Sequence, residues 1–241
     1  MRSRITALVL LTTILASQSS AHYLWVTVAL KEGKHGTAKI YFEGGPSAGD
    51  GRYLKHFEKT KKTWFRTVEK IKPKILKTKI AKNKKGNRQW LQTSLPTAGP
   101  HSVDTYAKFG VYNYGKTRVL LHYYGRNIKV KSHEEMHELA EAKHMTLDIV
   151  PHATPKKTEL TVLWKSKPAA KRLVYISGPK GFRKNVTTNT KGEVEFPTKA
   201  KGRYIIRTSY EIKKPGKDDD GKAYDLQRHH ATLIVNLPLQ D

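Results

Sequence analysis

The sequence predicts a mostly-β protein built as two immunoglobulin-like β-sandwiches, with one short helix near their join. Three observations predict it. The apolar residues come in short β-branched and aromatic runs, parted by Gly, Pro and Asn at roughly ten-residue spacing. A single stretch, His133 to His144, repeats Met136, Leu139 and Ala140 at helical spacing. Two prolines in a polar stretch, Pro151 and Pro155, mark a break between halves.

The chain opens with a secretory leader pattern. Arg2 and Arg4 precede the apolar run Ile5 to Leu15, and the small residues Ser19 and Ala21 follow it. The run is too short to span a bilayer, which needs about 20 residues. Residues 1–21 therefore read as a signal peptide cut after Ala21, and the mature protein as soluble and exported to the periplasm or beyond. The domain division that follows is 22–150, a linker at 151–157, and 158–241.

Tyr23 to Leu30 and Thr37 to Phe42 read as paired strands around the turn Lys31–Gly36. The loop Gly44 to Gly51 is glycine-rich but lacks the Gly-Lys-Ser/Thr ending of a phosphate loop. Residues 63–72, 74–80 and Gln89 to Leu95 follow as short strands. Val103 to Val111 and Val119 to Tyr124 form a pair, linked through Asn113–Lys116. Ser132 and Glu135 form a capping box for the helix. In the second half, Leu160–Trp164, Arg172–Ile176, Val186–Thr188, Glu193–Phe196, Arg203–Thr208 and Ala231–Leu237 are the strands of the sandwich.

There is no cysteine, so disulfides, thiolate metal sites and cysteine nucleophiles are excluded. No serine lies in a nucleophile-elbow pattern and no His-Glu-x-x-His motif occurs, so no catalytic residues are assigned. The formal charge is +26, and +24 once Arg2 and Arg4 are removed. It fits either a solvated basic surface or attraction to an acidic cell-surface polymer, with the dense region Lys55 to Arg88 as its focus. No nucleic-acid-binding signature is present, and no nucleic-acid partner is expected.

Eleven histidines remain as the notable chemistry. Borderline divalent ions take imidazole nitrogen readily, and without cysteine such a site must use nitrogen and oxygen donors. Cleavage after Ala21 makes His22 the first residue, so its α-amine and imidazole can chelate one ion. The amine must be neutral to bind, so affinity falls with pH below its usual pKa of about 7.7–8.0. Candidate partners are His122, central in its strand; His152, at the domain join; and His229 and His230, at the entry to the last strand. Alternation puts His229 with Ala231, Leu233 and Val235, and His230 with Thr232 and Ile234. Each of these four also reads as a surface or hydrogen-bonded core histidine.

Three features carry a family resemblance. They are Ala21-His22-Tyr23-Leu24-Trp25 at the leader junction, Leu147-Asp148-Ile149-Val150-Pro151-His152 at the domain join, and a second-half pattern. That pattern includes Leu160 to Trp164, Lys167-Pro168, Asn189-Thr190-Lys191-Gly192, Gly202-Arg203-Tyr204-Ile205 and His230-Ala231-Thr232-Leu233. Together they resemble the domain-of-unknown-function 4198 family of exported bacterial proteins. The lysine density of Lys55 to Arg88 departs from its pattern. The resemblance implies two β-rich domains and periplasmic binding or uptake of nickel or cobalt, with a membrane transporter as partner. Copper is a further cargo the donors suit. A copper brace of the lytic polysaccharide monooxygenase kind, with Tyr23 or Tyr123 nearby, is the enzymatic alternative, but the second half does not match those enzymes.

Overall fold

The computed structural model describes residues 22–57, 60–153 and 157–239. The proposed leader, residues 1–21, lies outside the described residues. The first half contains β1 (Tyr23–Ala29), β2 (Thr37–Glu43), β3 (Lys62–Thr67), β4 (Lys74–Ile75), β5 (Lys79–Lys82), β6 (Gln89–Ser94), β7 (His101–Tyr114), β8 (Thr117–Lys129), α1 (His133–Ala140) and β9 (Leu147–Ala153). The second contains β10 (Lys157–Trp164), β11 (Lys167–Pro168), β12 (Leu173–Ser177), β13 (Arg183–Thr187), β14 (Glu193–Pro197), β15 (Gly202–Ile212), β16 (Gly216–Lys217), β17 (Ala223–Tyr224) and β18 (Leu226–Leu237). The protein is mostly β, as its short β-branched runs predict.

The strands form three layers. The middle layer is an eight-stranded sheet ordered β13-β12-β15-β18-β8-β7-β3-β4. One four-stranded sheet, β1-β2-β6-β5, covers one face of it. The other face carries β9, β10, β11 and β14, joined by α1. The two-residue period of a strand explains the two cores. Val119, Leu121 and Tyr123 of β8 pack with Leu24, Ile40 and Phe65 on one side. Tyr124 and Ile128 pack with Leu160, Phe196, Ile206 and Leu233 on the other.

The second half is an immunoglobulin-like sandwich. Its sheets are β9-β10-β14 and β13-β12-β15-β18, all antiparallel neighbours. The stretch read as a linker begins as strand: Pro151 and His152 are part of β9 and pair with Leu160 and Glu159. Residues 154–156 lie outside the described residues. The two halves also share a sheet. Strand β18 runs parallel to β8, from Leu226 opposite Val119 to Val235 opposite Ile128. Local patterning cannot show such a pairing, because the partners are about a hundred residues apart in sequence.

Strand β1 is fastened across this junction. Thr232 Oγ1 donates to the Leu24 carbonyl (2.5 Å), and Asn127 Nδ2 donates to that of Val26 (3.3 Å). Gly125 makes the approach possible: a Cβ there would sit 2.7 Å from the Leu24 carbonyl oxygen.

The helix starts as expected. Ser132 Oγ accepts from the Glu135 amide (3.3 Å), while the Glu135 carboxylate accepts from the Lys131 amide (2.6 Å). It stops at Ala140, four residues before His144. Tertiary bonds take over its C-terminal groups. Arg126 donates to the Leu139 and Ala140 carbonyls, and Arg66 to those of Leu139 and Glu141. Asp148 accepts from the Ala142 amide (2.7 Å). Asp104 holds both guanidiniums, at 3.0 Å each, and His144 Nε2 lies 3.3 Å from it. Burial works to raise the Asp104 pKa, but Arg126, His144 and Arg66 together hold it below the usual carboxylate range.

Candidate metal-binding residues

His22 sits just before β1, on the strand face that carries Leu24 and Val26. Its ring packs against Phe42 (5.4 Å between centroids) and edge-on to Tyr53 (5.1 Å). A third of the side chain stays exposed. The β1–β2 register brings Glu43 opposite Tyr23, so its carboxylate lies beside the imidazole, with Nε2 to Oε2 3.7 Å. That is ion-pair range but beyond a hydrogen bond. Nδ1 has no hydrogen bond among the described residues.

The glycine-rich loop explains how Glu43 is held. A Cβ on Gly49 would fall 1.8 Å from Glu43 Oε1, so only glycine lets the loop close on this carboxylate. Burial raises the Glu43 pKa; His22 pulls it down and the neighbouring Asp50 pushes it up. Asp50 itself is engaged by Arg52, whose Nε is 2.7 Å from Oδ2. These hydrogen bonds lower its pKa.

The other histidines fall into separate places. His122 and His229 are register partners on β8 and β18, and their rings stack at 4.4 Å with planes 4° apart. Each Nδ1 meets a phenol: Tyr106 at 2.9 Å for His122 and Tyr124 at 3.1 Å for His229. Each Nε2 is buried without a hydrogen-bond partner among the described residues. Trp164 packs edge-on to His229 (4.6 Å) and stacks flat on Tyr210 (4.3 Å). Burial, reinforced by Lys108, pulls the His122 pKa down to about 4. Burial and then the His122 and His230 charges pull His229 down to about 3. Both are neutral at pH 7. An imidazole lone pair lies in its ring plane, and two nearly parallel planes do not meet at a shared ion. The stacked pair is therefore not a chelate as it stands.

His230 points to the opposite face, as alternation requires. It stacks on Tyr123 (5.2 Å) and meets Tyr23 edge-on (5.2 Å). Burial, then Arg228 and Arg207, lower its pKa to about 3. His152 is exposed and contacts His133 edge-on at 4.7 Å, while His133 Nδ1 donates to the Ala153 carbonyl (2.8 Å). Neither hydrogen bond nor ring contact joins His22 to His122, His152, His229 or His230 among the described residues. Among those residues, no group of three or more His, Asp or Glu side chains converges on a point that holds a metal ion.

Sequence reasoning missed Glu43. Its signal lies one residue beyond the alternating run Thr37 to Phe42: extending the hairpin register by a step places the carboxylate beside His22. It also missed the buried Asp104, Arg66 and Arg126 group, whose members come from β7, β3 and β8.

No helix among the described residues is long and apolar enough to cross a membrane. No protein-family profile matches the chain, and no curated protein matches it. Among solved structures, the D0-D1 domain of intimin aligns with 88% of this chain and 96% of its own, at 10% identity and a TM-score of 0.23. The BSP domain of a biofilm-associated protein aligns with 90% of this chain and 52% of its own, at 8% identity and a TM-score of 0.21.

Proposed function

We propose that this is an exported protein that binds one divalent transition-metal ion at the mature N-terminus, through the α-amine and Nδ1 of His22. The observation that supports this is the pairing of His22 Nε2 with the Glu43 carboxylate at 3.7 Å. A carboxylate beside one ring nitrogen favours the proton there and leaves the other nitrogen as the bare donor. Nδ1 is the nitrogen that closes a chelate ring with the residue's own amine. Nickel or cobalt is the cargo that the sequence resemblance implies, with delivery to a membrane transporter as the role; copper suits the same donors.

The test combines mass analysis of the exported protein's N-terminus with calorimetric titration of nickel, cobalt and copper. The reading expects a chain beginning at His22 that binds one ion. Retaining Ala21 blocks the amine and should remove the tight site. Glu43→Gln should weaken it about tenfold, the usual scale for a supporting carboxylate. Equal affinity with and without Ala21 would refute the chelate.

A further inference from the structure

A cleft of about 510 Å3 lies on the other side of β1 from His22. Its floor is the outward face of the sheet strands β12, β13 and β15. Alternation sends Val174, Ile176, Tyr204 and Ile206 into the core, so Tyr175, Ser177 and Arg207 face out. The register aligns Ser177 with Arg183, and Tyr175 with both Asn185 and Arg207. Residues 44–46, reaching over from the end of β2, and Trp25 form the opposing wall.

Arg207 is the distinctive feature. Its guanidinium lies over two phenol rings, 4.8 Å from the Tyr23 centroid and 4.6 Å from that of Tyr175. These two cation–π contacts fix the guanidinium, and no ion pair among the described residues takes its N–H groups, which remain for a ligand. Arg52, Arg66, Arg118, Arg126 and Arg228 each hold a carboxylate. Arg207 and Arg183 hold none among the described residues, as is also true of Arg88, Arg172 and Arg203. A fixed guanidinium edge matches the two oxygens of a carboxylate. Asn185 and Ser177 add amide and hydroxyl groups at the spacing of neighbouring strands, and Tyr175 adds an apolar ring face. Anion, hydroxyls and a flat C–H surface are the three features of an acidic sugar ring.

We propose that this cleft binds a uronic-acid unit of an acidic glycan, with Arg207 and Arg183 on its carboxylate, Asn185 and Ser177 on its hydroxyls and Tyr175 against its ring. This surface is separate from the lysine-dense region Lys55 to Arg88 and from His22, and its occupancy does not depend on metal.

The test is calorimetric titration of the full chain with trigalacturonate in the presence of a chelator. Neutral trigalactose and a single-stranded oligonucleotide of equal charge run alongside. Trigalacturonate should bind one-to-one, with trigalactose at least tenfold weaker. Arg207→Gln should weaken uronate binding at least tenfold, while the triple change Lys70→Gln, Lys72→Gln, Lys74→Gln should alter it less than twofold. Should Arg207→Gln fail to fold, the exposed Arg183→Gln and Asn185→Ala variants decide, each with an expected loss of threefold or more. Unchanged binding in these variants would overturn the proposal. So would an equal loss in the lysine variant, equal affinity for the oligonucleotide, or no binding of trigalacturonate at all. A chelator-insensitive uronate site with no metal binding would defeat the His22 reading and leave this one standing.

Discussion

Asp104→Ala should be among the most damaging single substitutions in this protein. The Asp104 carboxylate is fully buried and accepts from Arg126 Nε (3.0 Å), Arg66 Nε (3.0 Å) and Ser102 Oγ (2.5 Å). The change removes one of two buried anions and leaves Arg66 and Arg126, both 3% exposed or less, with only Asp148 between them. Breaking a buried ion pair from one side costs about 3–5 kcal/mol; here Arg126 keeps Asp148 at 2.6 Å, while the buried Arg66 loses its carboxylate. In a chain of this size each kcal/mol moves the melting temperature by about 2–4 °C, so the expected drop is roughly 6–20 °C. The assay is thermal unfolding followed by circular dichroism at pH 7, at low and high salt. Salt should change the difference little, because screening does not reach a buried pair. Arg118→Gln, which removes an exposed pair with Asp225, serves as the control and should leave the melting temperature nearly unmoved. A drop below about 2 °C for Asp104→Ala would refute the reasoning, since no uncompensated buried guanidinium is that cheap.

Acid should weaken the protein in two stages. His122, His229 and His230 are held neutral, with pKa values of about 4, 3 and 3, so the unfolded chain binds more protons below its own histidine pKa. Their contribution is complete above about pH 6.5 and is lost as pH falls towards the folded values, at about 1.4 kcal/mol per unit for each. His230→Phe should make the pH dependence of denaturant-measured stability shallower between pH 6.5 and 4; an unchanged slope would contradict its buried neutral state. Asp104 acts later, because its depressed pKa keeps its contribution intact until pH falls below about 3.9. Gly125→Ala should destabilise by about 1–3 kcal/mol in urea unfolding, because its new methyl meets the Leu24 carbonyl oxygen; a neutral result would mean β1 is free to move off β8.

The sandwich was legible because it is written locally. Val174 and Ile176, or Leu233 and Val235, announce their faces by alternation, and Asn189 to Gly192 announces a turn. The sides taken by His229 and His230 followed from the same period. The junction of the halves was not legible. Nothing near Val119 or Leu226 marks them as parallel neighbours, since that pairing is selected by the cores on either face. The helix end was misjudged for the same reason: Glu141 to His144 have helical residues, but Arg66, Arg126 and Asp148 claim the backbone groups that would extend it. At the candidate site, His22 stood out by position alone. Glu43 and the contacts of Arg207 with Tyr23 and Tyr175 depend on register and packing, which a single sequence does not display.

Placing β18 at the heart of the widest sheet ties the fate of the fold to one strand. Without β18 the eight-stranded sheet falls into two pieces, β13-β12-β15 and β8-β7-β3-β4. Such long-range closure folds slowly. Loss of β18 would therefore split the molecule down its middle rather than shorten its edge.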